Sequence, residues 1–475
     1  MLKELKANRA LELFAEMSEI PHGSSDTKKI SDYLKDFALK NNLEYFQDAS
    51  NNIVINKAAS LGKENATRLI MQAHMDMVCE KEEGVEFDFE TDSLNLKVKD
   101  DFLYAEGTTL GADDISGVAL ELAVLEDKNL SHGPITCIFT VDEEIGMLGA
   151  TALDKSCVQG EAYLLNIDNE AEGHFLTSCA GGIMAEGRLS ADWDKMQGSF
   201  YELTVSGCSG GHSGETINRG SANAVKVLGE LLFNLSQNQE VFLSEINGGL
   251  KDNAIPRKAS AIFTCENTKV IDIINTLSKD IVFKFKNTDP ELDISIIALG
   301  ETKKNVMRNS ANVISYIYDV PNGVIKFSEN IPGMVETSLN LGVLRTDDSD
   351  VYACHLLRSC VSKSLDDLLD NVFEIFNDNN FVTKSHSGYP AWEHKKDSKF
   401  RQIIKETADN MNFPCKFEGI HAGLECGIFF EANPKLDIVS FGPDIFDIHT
   451  PSEKMSISSF NRCYEFVKEL IQNID

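Results

Sequence analysis

Ile138-Phe139-Thr140-Val141-Asp142-Glu143-Glu144-Ile145-Gly146 is the stretch on which the fold turns. It opens as a short apolar, β-prone run, the mark of a buried strand. It then passes directly into three consecutive acids. Adjacent side chains on an extended chain point to opposite faces, so Glu143 and Glu144 are expected to do different work, one ligating a metal and the other facing a substrate. Gly146 marks a turn past the strand's C-terminal end, where α/β folds place their chemistry. Three acids alone read as a solvated loop; residues elsewhere in the chain argue for more.

Two further apolar runs end the same way. Arg68-Leu69-Ile70-Met71-Gln72-Ala73 delivers His74-Met75-Asp76, and a strand over 162–167 delivers Asp168-Asn169-Glu170. Between them Gly107-Thr108-Thr109-Leu110-Gly111-Ala112-Asp113-Asp114 leads into a helix over 115–125, with Asp113 or Asp114 as a natural N-cap. Strands alternating with helices predict an α/β fold with a mostly parallel sheet flanked by helices.

Before this region, residues 1–41 read as two helices broken at Ile20-Pro21-His22-Gly23-Ser24-Ser25, followed by strands at 44–47 and 52–56. The acidic segment 82–104 reads as a peripheral hairpin. Cys179-Ala180-Gly181-Gly182 reads as a hinge, and the character changes after it. Strands are expected at 199–205, 259–264, near 298, and at 323–327, 335–343 and 351–358. Helices are expected at 221–235 and 269–277, with 365–377 closing the set. These describe an α+β sandwich at 187–384, inserted into a split α/β domain at 1–186 and 385–475. A helix at 400–411, a strand at 436–441 and a final amphipathic helix at 457–474 complete the larger domain.

At 475 residues the chain exceeds the usual single-domain size, and 42% hydrophobic content suffices for proper cores. A formal net charge of −31 argues against nucleic acid or an anionic membrane as partner. No apolar run reaches transmembrane length, and the charged start Met1-Leu2-Lys3-Glu4-Leu5-Lys6-Ala7-Asn8-Arg9 lacks a signal-peptide core. The 11 cysteines are scattered without a Cys-x-x-Cys pair, which fits a reducing cytoplasm.

His74, Asp113, Glu144, Asp168 and His449 thus fall at or just past the ends of expected strands. Mixed carboxylate and imidazole donors suit Zn2+, with Mn2+ or Co2+ as substitutes. A catalytic zinc normally takes three protein ligands. A pair of metals about 3.5–4 Å apart, sharing one carboxylate, would use all five residues.

The ordered motifs His74-Met75-Asp76, Gly111-Ala112-Asp113-Asp114, Asp142-Glu143-Glu144-Ile145-Gly146, Asp168 and His449-Thr450-Pro451-Ser452-Glu453 resemble the dinuclear zinc exopeptidases with an inserted lid and dimerisation domain. The aminoacyl-histidine dipeptidase branch (Xaa-His, carnosinase-like) is the nearest in pattern. Cys179-Ala180-Gly181-Gly182, Gly210-Gly211-His212-Ser213-Gly214, Asn253-Ala254-Ile255-Pro256-Arg257, Leu357-Arg358-Ser359 and Ile420-His421-Ala422-Gly423-Leu424-Glu425 belong with it. That branch usually carries Ala-Asp-Asn-Gly where this chain has Ala112-Asp113-Asp114-Ile115, and His-Ser-Pro-Asp-Glu where it has His449-Thr450-Pro451-Ser452-Glu453. The implied ligands survive both changes, which bear on positioning and substrate preference.

The resemblance implies a small peptide substrate, a homodimer formed through the lid, and a set of roles. Asp113 bridges two zinc ions, with His74 and Asp168 on one and Glu144 and His449 on the other. Asp76 orients His74, and Glu143 is the general base. His212 donates to the oxyanion across the dimer, and Arg358 clamps the substrate carboxylate. Asn253 contacts the substrate backbone, while His421 and Glu425 meet its ammonium. Rival readings are an aminoacylase, deacetylase or tripeptidase of the same fold, and a non-catalytic acidic metal-binding protein. Two-metal phosphoester hydrolysis lacks a basic phosphate cradle in the sequence.

Overall fold

The computed structural model describes Leu5, residues 8–266 and residues 269–475. Positions 1–4, 6 and 7, which carry much of the reading of the N-terminus, lie outside the described residues. The chain divides into two compact units. One comprises Met1–Cys179, Trp392–Gly419 and Leu424–Asp475, the other Ala180–Ala391 and Ile420–Gly423.

The first unit is built on an eight-stranded sheet. Its centre is parallel: Ile135–Thr140, Leu69–His74, Tyr163–Asn166 and Asp437–Ser440 pair in that order, and Glu44–Gln47 and Ile53–Lys57 add antiparallel strands at one side. Every residue of Leu69–His74 and of Ile135–Thr140 is buried, as parallel strands covered on both faces must be. The helix Ala112–Glu126 is buried from Ala112 through Leu125, on every side rather than along one stripe, with Asp113, Asp114, Ser116 and Glu121 buried among its apolar residues. Phe175, Phe413, Phe441 and Phe466 pack ring on ring in the core of this unit, with Phe175 and Phe441 stacked 5.7 Å apart.

The acidic segment 82–104 yields a narrower hairpin than expected, Leu96–Lys99 with Phe102–Ala105, and that hairpin is not peripheral. Phe102–Ala105 pairs with Lys454–Ser456, which pairs with Ile445–Phe446, and this small sheet fixes the loop that carries His449.

The second unit is built on a nine-stranded sheet whose described strands all pair antiparallel. The helices Ala224–Ser236, Val270–Phe285, Ser310–Asp319 and Ser362–Asp378 accompany it. Leu228, Leu232, Ile274, Ile317, Leu203 and Phe263 belong to its core. The division falls at 179/180 and 391/392 rather than at 186/187 and 384/385. The reason lies in the pairing: Gly181–Ser190 joins Asp350–Ser359 on one side and Val382–Tyr389 on the other. The segment read as a hinge is accordingly the end of one strand, His174–Cys179, and the start of the next.

Candidate metal centre and active site

The parallel strands and their following turns deliver the acids and imidazoles to one edge of the first unit. His74 is the last residue of its strand and is 1% exposed. Its Nε2 lies 3.0 Å from Asp113 Oδ1 and 3.6 Å from Asp168 Oδ1. The other Asp113 oxygen, Oδ2, lies 3.1 Å from His449 Nε2, which is 3.0 Å from Glu144 Oε2. Asp113 therefore spans two histidines with one oxygen each, and all five expected ligands meet through it. The His449 side chain is 45% exposed, so the cluster runs from the core out to the surface.

Strand alternation is not what separates Glu143 from Glu144. The strand ends at Thr140, and Asp142 turns the chain with a left-handed φ of 55°. The turn is held by Asp76, whose Oδ1 accepts from Glu143 N (3.1 Å) and Oδ2 from Glu144 N (3.4 Å). His74 Nδ1 lies 3.0 Å from the Asp76 backbone carbonyl and 3.5 Å from its Oδ1, and Asp76 Oδ2 accepts from Ser24 Oγ at 2.8 Å. Asp76 thus backs the histidine ring with its carbonyl and, more distantly, its carboxylate, while the carboxylate holds both glutamates. His449 also occupies the left-handed region, φ 59°, at a cost of roughly 1 kcal/mol for a residue other than glycine.

The N-cap reading goes to Asp114, not Asp113. Gly111 starts the helix with φ 67°, and Asp114 Oδ1 accepts from Gly117 N at 3.0 Å. Asp114 Oδ2 accepts from the His74 backbone N at 3.3 Å. A Cβ on Gly117 would lie 2.5 Å from the Ile167 carbonyl oxygen, so glycine lets this helix start press against the strand ends. Glu453 completes the cradle: its carboxylate accepts from the backbone N–H groups of Leu110 (2.8 Å), Gly111 (3.1 Å) and Ala112 (2.8 Å).

Electrostatics follows from crowding acids in a buried place. Burial opposes a charge on His74, yet hydrogen bonds to Asp113, Asp168 and Asp76 outweigh it and raise the imidazole well above its ordinary range. Hydrogen bonds to Asp113 and Glu144 push His449 up to about 10. Against its burial, His449 and His74 hold Asp113 below the usual carboxylate range. Burial raises Asp168 to about 6 and Glu170 to about 8, and lifts Asp114 and Glu143 well above their usual values.

These residues fit divalent ions. Ligand atoms of His74, Asp113 and Glu144 lie within 4.8 Å of one another, as do those of His74, Asp114 and Asp168. Asp114 is thus a candidate donor that the sequence reading left out. Glu144 Oε1 is buried and finds no hydrogen-bond partner among the described residues, as a carboxylate oxygen reserved for an ion would. Oxygen and imidazole donors without thiolates suit zinc and its neighbours.

The second unit holds its own cluster. His212 Nδ1 accepts from Glu215 N at 3.3 Å, which places the ring proton on Nε2 and leaves that nitrogen a donor. Ser213 N donates to the Asn253 carbonyl at 2.8 Å, tying the two predicted residues together through backbone. Arg358 Nη1 donates to Tyr389 Oη at 2.6 Å, and His421 Nε2 meets Ser338 Oγ at 2.7 Å. Burial, then the Arg358 charge, lowers both His212 and His421, the latter to about 3. Arg358 Nε and His421 Nδ1 are buried without a hydrogen-bond partner among the described residues.

Glu425 lies within electrostatic reach of Glu143, His74 and Asp168. It belongs to the first unit, separate from His421, and is 0% exposed. Its Oε1 is buried without a hydrogen-bond partner among the described residues. Glu170 and Glu453 were missed as contributors, although both stand inside quoted motifs, two residues past Asp168 and four past His449.

A buried set of imidazoles and carboxylates at the C-terminal edge of a parallel sheet defines a class of hydrolytic metal site. The family follows from comparison: the Peptidase family M20/M25/M40 model matches residues 70–473, and the chain belongs to that family of peptide hydrolases. It is 33% identical over 481 aligned residues to the cytosol non-specific dipeptidase of Escherichia coli (strain K12), covering 100% of this chain and 99% of that one. The structure of an aminoacylhistidine dipeptidase from Vibrio alginolyticus superposes with a TM-score of 0.91 at 32% identity, over 98% of this chain and 96% of that one. A tripeptidase from Staphylococcus aureus, at 16% identity and TM-score 0.57, covering 99% of this chain and 98% of that one, shares the fold.

Proposed function

We propose that the chain is a two-metal dipeptidase acting on dipeptides with a free amino terminus, with Xaa-His substrates of the β-alanyl-histidine kind preferred. The observation that carries this reading is the meeting of His74, Asp113, Glu144, Asp168 and His449 through Asp113, with Glu143 on the same Asp76-held turn. Zinc ions, replaceable by cobalt or manganese, would be held by Asp113 between them, with His74 and Asp168 on one side and Glu144 and His449 on the other. Bound there, such ions polarise a scissile carbonyl and acidify an attacking water.

The remaining work falls to the chain's own groups. Glu143 takes the water's proton on its carboxylate and returns it to the leaving amine; burial, which raises its proton affinity, makes it a stronger base. Asp76 keeps the His74 ring oriented and raises its basicity. The His212 Nε2–H donates to the oxyanion in the neighbouring subunit of a homodimer built through the inserted lid domain. Arg358 takes the substrate carboxylate through its guanidinium fork, and its unpartnered Nε supports that role. Asn253 reaches the substrate backbone and His421 the region of its amine.

The names of the two closely matched relatives support a dipeptide substrate and a cytoplasmic setting, and one of them carries the Xaa-His preference. Among the described residues no helix is long and apolar enough to cross a membrane. The test is a panel of Xaa-His dipeptides, other dipeptides, tripeptides and N-acetyl amino acids with metal supplied. Fastest turnover on Xaa-His supports the full reading. Even rates across dipeptides replace it with broad specificity, as the E. coli relative's name suggests. Turnover of acetylated amino acids alone overturns the dipeptidase reading.

A further inference from the structure

Beneath the ligand-bearing strand ends lies a buried polar network that the proposed chemistry does not use. Glu425 Oε2 accepts from Gln72 Nε2 at 2.5 Å and from Thr140 Oγ1 at 2.6 Å. Gln72 Oε1 in turn accepts from Asn166 Nδ2 at 2.8 Å. Glu425, Gln72, Thr140 and Asn166 are each 0% exposed. The three partners come from the three adjacent parallel strands Leu69–His74, Ile135–Thr140 and Tyr163–Asn166.

Their register gives the network its meaning. Gln72 pairs directly with Asn166, and Thr140 pairs with His74. Side chains two apart on a strand share a face, so Gln72 lies on the side of His74, one step below it. Asn166 stands two residues before Asp168, and Thr140 three before Glu143. Glu425, at the start of the helix Cys426–Ala432, therefore binds two of these strands directly and the third through Gln72.

We infer that Glu425 is a positioning residue: hydrogen bonds received by its carboxylate lock the three strand ends in the register at which His74, Glu143–Glu144 and Asp168 converge on one metal site. This rests on the metal-site reading above. The contribution is geometric, since what the strands require is an acceptor at Oε2, and an amide oxygen can serve there. Removing that acceptor without replacement leaves Gln72 Nε2 with only Thr140 Oγ1 at 3.2 Å and the Thr140 hydroxyl with only the Ala73 carbonyl at 3.4 Å, longer bonds than the 2.5 and 2.6 Å lost, and the strands then relax.

The experiment compares Glu425→Gln, Glu425→Leu and Thr140→Val by zinc affinity, using a competing chromophoric chelator, and by amide hydrogen exchange of the metal-free proteins. Glu425→Gln should hold zinc within about threefold of the unaltered protein. Glu425→Leu should lose affinity about 10–100-fold, the scale seen when groups behind metal ligands are removed. It should also speed exchange in 69–74, 135–140 and 163–166 together. Thr140→Val, isosteric but missing the hydroxyl that donates to Glu425 and accepts from Gln72, should fall between them, and decides the matter if Glu425→Leu does not fold. Equal losses in Glu425→Gln and Glu425→Leu would assign a role to the charge and overturn the inference. Unchanged affinity in both Glu425→Leu and Thr140→Val would overturn it as well. So would a raised KM for free-amine dipeptides with zinc affinity intact, which marks substrate contact. If the unaltered protein binds no zinc, cobalt or manganese, the metal-site reading itself fails and takes this one with it.

Discussion

Replacing Glu143 by glutamine separates the two neighbouring acids. The amide is isosteric but cannot accept a proton, so the base step is lost while the turn remains, because Asp76 holds that turn through backbone N–H groups at 3.1 and 3.4 Å. A general base contributes roughly two to four orders of magnitude, about 2.7–5.5 kcal/mol of barrier. Glu143→Gln should therefore lower kcat by about 10²–10⁴ with metal content unchanged. Glu144→Gln removes a charged partner 3.0 Å from His449 and should release metal instead. The assay is dipeptide turnover at saturating substrate beside atomic-emission metal analysis after dialysis. Equal metal retention in both variants with less than a tenfold fall in either rate, or metal loss confined to Glu143→Gln, would refute the assignment.

Asp76→Asn keeps the backbone carbonyl that meets the His74 ring but loses the charged carboxylate behind it and under the glutamate turn, and should weaken zinc affinity about 10-fold, read by chelator competition. Glu453→Ala strips the acceptor from three backbone N–H groups and should cost roughly 3 kcal/mol or more in urea unfolding; a loss under about 1 kcal/mol speaks against the cradle. The metal-free protein should melt lower as pH rises from 5 to 8. Asp168, Glu425 and Glu453 hold protons in the fold up to about 6, 7 and 7, against roughly 4 when unfolded. Raised folded values give stability that is full below the unfolded value and lost as pH climbs through the folded one, so a flat or rising melting temperature contradicts it. His212→Ala and Glu143→Gln dimers should each be nearly dead, and subunit exchange should restore one working site. Heterodimers as inactive as their parents would remove His212 from the neighbouring site.

Residues were legible in the sequence where a strong local pattern delivered them. His74, Glu143, Glu144 and Asp168 each follow an apolar run, and those runs are the buried parallel strands observed. The helix Ser310–Asp319 was not legible, since its Val313, Ile314, Tyr316 and Ile317 favour strands in isolation and are helical here because they pack into the second unit's core. The choice between Asp113 and Asp114 was equally closed, because two adjacent acids before a helix carry the same capping signal and only the hydrogen bond to Gly117 separates them. Glu425 illustrates the deepest limit. Its partners Gln72 and Thr140 are 353 and 285 positions away, and no local spacing reports a bond across that distance.

Taken together, the charges explain why this edge of the sheet demands cations. Asp76, Asp113, Asp114, Glu143, Glu144 and Asp168 share a small volume with the imidazoles of His74 and His449. Two imidazolium charges cannot balance so many carboxylates away from water, and without metal the balance is restored by protons on Asp114, Glu143 and Asp168, where burial raises proton affinity. Divalent ions supply the same positive charge at the same place, so metal and protons compete for one set of oxygens. Metal binding must then release protons, and both histidines must give up theirs before their nitrogens can ligate. The pH dependence of the metal-free fold and the metal affinity of the site are thus two readings of a single electrostatic fact: acids buried by the parallel strands at a density that water is not present to support.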